Sequence, residues 1–582
     1  MRAVLDVDRS ALGRRWVGPD AAEDRAALAL VQASGLPEPV ARVLAARGIA
    51  ALDAPAFLAP TLRALTPDPS SLRDMDRAAE RLVRAALRGE RVALFGDYDV
   101  DGACACALMI RWLRAFGPAP TLHIPDRMTE GYGPNIPAMT RLGGAHDLVI
   151  CLDCGTVAHE PIAAAVAAGA EVMVIDHHQG AETPPPALAV VNPNRQDEDG
   201  ALHYLCAAGV AFLLLVAANR LLRAQGREGP DLIGLLDLVA LATVADVAPL
   251  VGFNRALVRQ GLAVMARRDR PGLAALADVA RLTAPPTAAS LGFAFGPRIN
   301  AGGRLGTSDL GTRLLVTDDP HEAAALAEKL DRLNADRRAV EAQVLDAALS
   351  QAEAQLAADV EGPLVWAAAE GWHKGVVGIV AARLKERFDR PAVVIALDGV
   401  EGAGSGRSVP GADLGAAVAA LAREGLILRG GGHAMAAGLS LSQAQVAPAM
   451  DRLAALLARQ GVVGGAPRDL RLDGALAPAA ATPDLVDLLE SAGPFGAAAP
   501  APRFALPAAR ITHVRPMGEG HLRLALAGGA EAVAFRVGDT ALGALLRDHG
   551  GAPLHLAGRL ERDDWQGRRR ARLRIEDAAP VR

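Results

Sequence analysis

Three short apolar runs constrain this chain most: RVALFGD (91–97), HDLVICLD (146–153) and EVMVIDH (171–177). Each is dominated by Val, Ile, Leu or Phe, and each meets an aspartate at its end. Strands that lack polar alternation must be covered on both faces. Amphipathic segments between them, DRAAERLVRAALRG, Ala103 to Phe116 and HEPIAAAVAAG, supply the cover. The pattern predicts an α/β fold built on a parallel sheet. Ligands of such sheets gather at the carboxyl ends of the strands, and the acidic and imidazole groups fall there: Asp97, Asp99 and Asp101 in FGDYDVDG, Asp153, and the triplet Asp176-His177-His178. Asp246 ends a further apolar stretch, LATVADVAPL. Buried carboxylates without partners cost several kcal/mol each, so such a gathering implies cations. Oxygen ligands with an imidazole suit Mn²⁺ or Mg²⁺, and a pair of such ions serves in-line phosphoryl chemistry. The chain reads as a metal-dependent phosphodiesterase.

The segments FGDYDVDG, DHH and GGHAMAAG resemble the DHH phosphoesterase superfamily with its associated DHHA1 domain. Within it the chain is similar to the RecJ family, bacterial single-strand-specific 5′→3′ DNA exonucleases. Further stretches that carry the resemblance are IPDRMTEGYG (124–133), TVADVAPL (243–250), FGPRINAGGRLG (295–306), HKGVVGIVAARL (373–384), GSGRS (404–408) and the PFG at 494–496. The resemblance implies two ions, Mn²⁺ or Mg²⁺. Asp99 and Asp153, assisted by Asp97, would hold one; Asp101, His177, Asp246 and the shared Asp153 would hold the other. His178 joins the catalytic set, and Asp176 is expected to orient ligands. Single-stranded DNA is the implied substrate, in repair and recombination. A single-strand-binding protein and a RecQ-type helicase are expected partners.

Domain organisation follows from shifts in pattern. Residues 1–64 read as an N-terminal helical segment, 65–315 as the DHH domain, and 316–358 as a long connecting helix without Gly, interrupted only by Pro320 at its start. Residues 359–460 read as a smaller α/β DHHA1 domain, with EGAGSGRS and RGGGHAMAAG as Gly-rich turns. After a Gly/Pro break, 465–582 shows short alternating strands, the pattern of an OB-like β-barrel. The Pro- and Asp-rich stretch 180–200 reads as loop.

Substrate phosphates need donors, and the second α/β region offers Ser405 and Arg407 in GAGSGRSV, His433, and His373 before a helix. Arg127, Arg298 and Asn300 are further candidates, although Arg298 equally suits a structural ion pair. Aromatic residues are few (five Trp, three Tyr, eleven Phe), leaving Tyr132, Trp372 and Trp565 as stacking candidates. In WQGRRRARLRIED, Arg568, Arg570, Arg572 and Arg574 share one face of an expected strand, with Arg569 beside them. That face is read as a basic stripe for single strands.

The net charge of −5 means that any grip on DNA comes from local basic patches. Five cysteines argue against a disulfide framework, and the Cys151/Cys154 pair lacks a second pair at zinc-finger spacing. The polar start MRAVLDVDRSALGRRW is unlike a signal peptide, and GVAFLLLVAANRLL is short for a membrane span; no membrane association and a cytoplasmic location are expected. Two competing readings are an oligoribonuclease or cyclic-dinucleotide phosphodiesterase of the same superfamily, which has no need of the extra barrel, and a non-catalytic DNA-binding relative, which would have lost ligands.

Overall fold

The computed structural model describes residues 2–127, 129–463, 469–518, 520–563 and 569–581. Its first sheet has five parallel strands in the order Thr121–His123, Val92–Gly96, Leu148–Leu152, Glu171–Ile175, Ala189–Val191. Side chains alternate across it with period two. Leu94, Ile150 and Met173 face a core shared with helices Met75–Arg88, Val100–Leu113 and Ala207–Ala224. Phe95, Val149 and Val174 face Met139, Leu142 and Ile162 from the helices on the other side. Two local readings of the sequence need correction. The helix after FGDYDVDG begins at Val100 rather than Ala103, because the Asp99 side chain caps it by accepting from the N–H of Asp101 and Gly102. The stretch 180–200 is not all loop: Ala189–Val191 is a buried strand, too short to show a pattern between Pro186 and Pro193.

The helix Pro320–Ala358 runs 39 residues, about 58 Å at 1.5 Å per residue. Its first third packs Leu326, Ala327 and Leu330 into the first domain. Its second half packs Val344, Ala348 and Ala352 under the second sheet. That sheet has the order Arg429–His433, Ala436–Ser442, Glu401–Arg407, Ala392–Asp398, Val365–Glu370. Of the two Gly-rich segments expected to be turns, EGAGSGRS is a strand, and RGGGHAMAAG is a hairpin whose turn is only Ala434-Met435. Glycine there makes room: a Cβ on Gly404 would lie 2.9 Å from Leu439 Cδ1, and one on Gly406 would lie 2.7 Å from Leu414 Cδ2.

The C-terminal domain is a seven-stranded sheet, in order Gly474–Ala475, Phe504–Ala509, Leu554–Arg562, Ala571–Pro580, Glu531–Ala534, His521–Leu526, Ile511–Met517. The N-terminal segment is not purely helical, as expected, but opens with strands Arg2–Ala3 and Arg15–Gly18, the latter pairing in parallel with Asp469–Arg471. A strand there is settled by a partner more than 450 residues away in sequence. Among the described residues one helix, Ala207–Ala224, is long and apolar enough to cross a membrane, and 67% of it is buried within the first domain.

Candidate metal centre

Each acidic side chain is set by its element. Asp97 and Asp153 directly follow strands Val92–Gly96 and Leu148–Leu152. Asp153 holds a left-handed φ of 62°, rare for a residue with a side chain. Asp101 lies in the first turn of the helix that Asp99 caps, and both its oxygens accept from the N–H groups of Ala207 (2.6 Å) and Ala208 (2.8 Å) at the start of helix Ala207–Ala224. Gly102 permits this tight turn, since a Cβ there would stand 2.6 Å from the carbonyl oxygen of Asp97. Asp246 is the residue that ends helix Leu236–Ala245.

His177 stands among them. Its Nε2 is 3.3 Å from Asp153 Oδ1 and 3.7 Å from Asp101 Oδ2, and its Nδ1 is 3.9 Å from Asp246 Oδ2. Donor atoms fall into three overlapping groups, each within 4.8 Å: Asp97/Asp99/Asp153, Asp101/His177/Asp246 and Asp153/His177/His178. Asp153 Oδ1 is buried without a hydrogen-bond partner, and a buried carboxylate oxygen in that state calls for a cation. Electrostatics agree. Burial, then the charge of Asp99, pushes the Asp97 carboxyl well up. Burial, then Asp101, Asp99 and Asp97, does the same to Asp153. Asp246 is pushed up to about 9 by burial and by Asp101 and Asp99. Divalent cations relieve this mutual repulsion, and the donor set fits them.

A supporting network centres on Asp176, which was expected to orient ligands, and adds Thr156, Asn192 and Asn194, which the sequence reading passed over. Asp176 accepts from the N–H groups of His177 (2.8 Å), His178 (3.2 Å) and Thr156 (3.1 Å), and it meets His178 Nδ1 at 2.8 Å. Burial works against the charged imidazole of His178, but the Asp176 contact and the charges of Asp176 and Asp97 carry it up to about 9. Asn192 donates to Thr156 Oγ1 and to the His178 carbonyl, both at 2.8 Å. Asn194 donates to the His177 carbonyl. Both asparagines lie in VNPN of the stretch read as loop, where Asn-Pro was the available signal. Tyr132, 57% exposed, reaches His178 Nε2 with its hydroxyl at 3.3 Å.

Facing this centre is a group of cations that, among the described residues, has no matching set of acids. The Arg127 guanidinium lies 5.3 Å from the Tyr98 ring centroid. Arg407 donates to Ser405 Oγ (3.0 Å) and to the Gly406 carbonyl (2.8 Å), and Gly378 keeps the space before them open. Arg304 donates to the Gly375 carbonyl of the second domain at 2.6 Å. Burial and the nearby Arg127, Arg337 and Arg407 charges lower Arg304 to about 10. Burial and Arg127 also lower Arg407 and His373. Cations held together in this way await an anion. Arg304 was overlooked, although it stands in the quoted AGGR of FGPRINAGGRLG.

Other candidates have different surroundings. Arg298 is tied to Asp331 at 2.8 Å and to the Ala294 carbonyl, so the structural alternative describes it. Asn300 accepts from the Val100 N–H at 3.1 Å and thus braces the aspartate loop. His433 is exposed on the edge strand Arg429–His433. Trp372 packs beside the Val344–Ala348 core of the second domain rather than standing free for a base. Trp565 and Arg568 lie outside the described residues. The described arginines of the expected basic stripe are ion-paired: Arg570 with Glu531, Arg572 with Asp563 and Glu561, Arg574 with Glu561, and Arg569 beside them with Asp487. Strand pairing brings this about, because Glu561 stands opposite Arg572.

Comparisons with known proteins bear on the whole chain. Residues 91–243 match the DHH family N-terminal domain, 361–459 the DHHA1 domain and 472–577 the RecJ OB domain. The single-stranded-DNA-specific exonuclease RecJ of Escherichia coli is 38% identical over 532 residues, covering 88% of this chain and 91% of that protein. RecJ of Thermus thermophilus is 36% identical over 500 residues, covering 85% of this chain and 69% of that protein. The crystal structure of Thermus thermophilus RecJ in complex with Mn²⁺ superposes with a TM-score of 0.79 at 32% identity, covering 97% of this chain and 79% of that one. A structure of the same protein with Mg²⁺ gives 0.73. With its three domains in RecJ order and its identity sustained over most of both chains, this protein belongs to the RecJ family of single-stranded-DNA-specific exonucleases.

Proposed function

We propose that this chain is a metal-dependent exonuclease that degrades single-stranded DNA from its 5′ end in repair and recombination. The observation that carries the reading is the orphaned Asp153 Oδ1 shared by overlapping ligand groups, opposite the cationic cluster Arg127–Arg304–Arg407. Asp97, Asp99 and Asp153 would hold one divalent ion; Asp101, His177, Asp246 and Asp153 would hold the second. When bound, such ions acidify a water for in-line attack on phosphorus and neutralise the charge that develops there.

The protein's own groups do the rest. The N–H donors of Ala207 and Ala208 fix the Asp101 carboxylate, and Asp176 fixes both histidines, so that the ligands are preorganised. Arg407, Ser405 and Arg127 form a cradle for the 5′-terminal phosphate, which counts position from the strand end. Arg304 reaches between the cradle and the aspartate loop, where it holds the phosphate next in line. Tyr132 supplies an exposed ring beside His178 for stacking a base. We further propose that the protein works in the cytoplasm, alongside a single-strand-binding protein and a RecQ-type helicase.

Digestion of single strands labelled at one end tests this reading. With Mn²⁺ or Mg²⁺, a 5′ label is expected to appear at once as mononucleotide while a 3′ label moves down a ladder. Release of the 3′ label first, or undiminished activity in EDTA, overturns it.

A further inference from the structure

Asp246 is the one member of the ligand set that sits on neither a strand end of the sheet nor the helix beside it, and its position depends on the loop that follows. Val247 holds a φ of 60°, a strained conformation for a β-branched residue, and is 69% exposed. Its side chain therefore does little to hold the loop. The backbone bonds Val247 N–H to Val244 (3.2 Å) and Ala248 N–H to Thr243 (3.0 Å) turn the chain. The next anchor comes from far away, where the Leu250 N–H donates to the Ala497 carbonyl at 2.9 Å. Gly496 packs so closely on Leu250 that a Cβ would lie 2.7 Å from its Cδ1. Ala499, 4% exposed, joins the first domain's core together with Ala248, Leu250 and Phe253.

The segment that does this leads directly into the C-terminal sheet, and it is gripped from two sides. The Ala492 carbonyl accepts from Arg47 Nη1 (3.0 Å), in the N-terminal segment, and from Arg255 Nη2 (2.9 Å), in helix Gly252–Met265. Arg47 also donates to the Pro500 carbonyl (2.8 Å) and stands over the Phe495 ring at 5.2 Å. Arg255 lies 4.0 Å from the Phe57 ring centroid and donates to the Phe57 carbonyl.

We infer that residues 492–499 are a positioning strap for Asp246, through which the N- and C-terminal parts of the chain set the affinity of the cation held by Asp101, His177 and Asp246. The inference rests on Asp246 being a ligand. With Leu250 released, the strained turn at Val247 relaxes and the carboxylate drifts from its two partners. The other ligand group, at the carboxyl ends of the inner strands Val92–Gly96 and Leu148–Leu152, does not feel the strap.

Mn²⁺ binding to EDTA-stripped, full-length protein, followed by the electron paramagnetic resonance of free Mn²⁺, tests this directly. Gly496→Val wedges the strap away from Leu250. One Mn²⁺ site should weaken at least about tenfold, as loss of an orienting neighbour does, while the other stays within a factor of about two. Hydrolysis should recover at high Mn²⁺. Arg47→Ala, milder and remote from the ligands, should shift the same site in the same direction, and it carries the test alone if the valine variant does not fold. Asp246→Asn is the reference. If it leaves both sites intact, the ligand reading itself falls. If it weakens one site that the strap variants leave unchanged, or if they weaken both sites equally, the strap is overturned and the ligand reading stands.

Discussion

Asp153→Ala removes the carboxylate whose buried Oδ1 makes no hydrogen bond and that two of the candidate ligand groups share, so it should abolish hydrolysis while the fold persists. Circular dichroism and an exonuclease assay together check this, and survival of more than a small residue of activity would sink the shared-ligand assignment. A second expectation concerns pH. Asp246 sits at about 9 when folded without cations, against about 3.9 in an unfolded chain. The folded state thus holds a proton that the unfolded state gives up. Its contribution to stability is complete below about pH 4 and is lost as pH rises through about 9. EDTA-treated protein should melt at falling temperature between neutral pH and that value. Saturating Mg²⁺ should flatten the trend, adding about 2.7 kcal/mol per site at a hundred times its Kd. A melting temperature indifferent to pH in EDTA would contradict the charge repulsion inferred here. At the facing cradle, Arg407→Ala should cost about ten- to a hundredfold on 5′-phosphorylated strands and much less on 5′-hydroxyl strands; equal losses would make it a general backbone contact. The clustered carboxylates and His177 were legible in sequence because each group closes an apolar run. Thr156, Asn192 and Asn194 were not, because bonds to backbone groups within loops follow no period. Arg304 was passed over for Arg298, since only the packed helix shows which of the two turns toward the cleft.

Among the elements, glycine-rich strands and the arginine-rich tail misled the reading for related reasons. Glycine marks a turn only when the backbone needs it, whereas Gly404 and Gly406 yield space to Leu439 and Leu414. A row of arginines marks a nucleic-acid face only when the neighbouring strand lacks acids. Here Glu561, Asp563 and Glu531 stand beside Arg570, Arg572 and Arg574. In the same sheet, Arg510, Arg515 and Arg536 are exposed and make no ion pair among the described residues, near or on the edge strand Ile511–Met517. Removing these three should therefore reduce the salt dependence of binding to long single strands, by about 0.7 in slope for each lost phosphate contact. Removing Arg572 and Arg574 should lower stability slightly and leave that slope alone. A fall in slope only for the second set would restore the stripe.

Over the whole molecule, the sequence reading assigned no role to the first sixty residues, because their partners lie at the opposite end of the chain. Trp16 is fully buried and donates to Asp577 Oδ2 at 3.2 Å, where Ser10 Oγ also donates at 2.7 Å. Val7 and Trp16 share a core with Leu470, Leu472, Ala557 and Ala579, and Leu30, Val40 and Leu44 share another with Leu489 and Phe504. The first and last parts of the chain thus fold as one unit around the OB sheet. Deleting either alone bares the apolar face of the other, and loss of the N-terminal segment also strips Asp577 Oδ2 of Ser10, Trp16 and Arg14, which is costly for a buried carboxylate. Deleting both should do less harm, leaving residues 61–463 with the metal centre, the cradle and the bridging helix. We therefore expect both single deletions to aggregate or digest rapidly in limited proteolysis. The double deletion should stay soluble and cleave short oligonucleotides, with a raised Mn²⁺ requirement because the strap is gone. Trp16→Ala should cost the terminal unit about 3–5 kcal/mol, read in urea titration. A chain lacking only residues 1–60 that sediments as a monomer and resists protease as well as the double deletion would show that the two termini do not depend on each other.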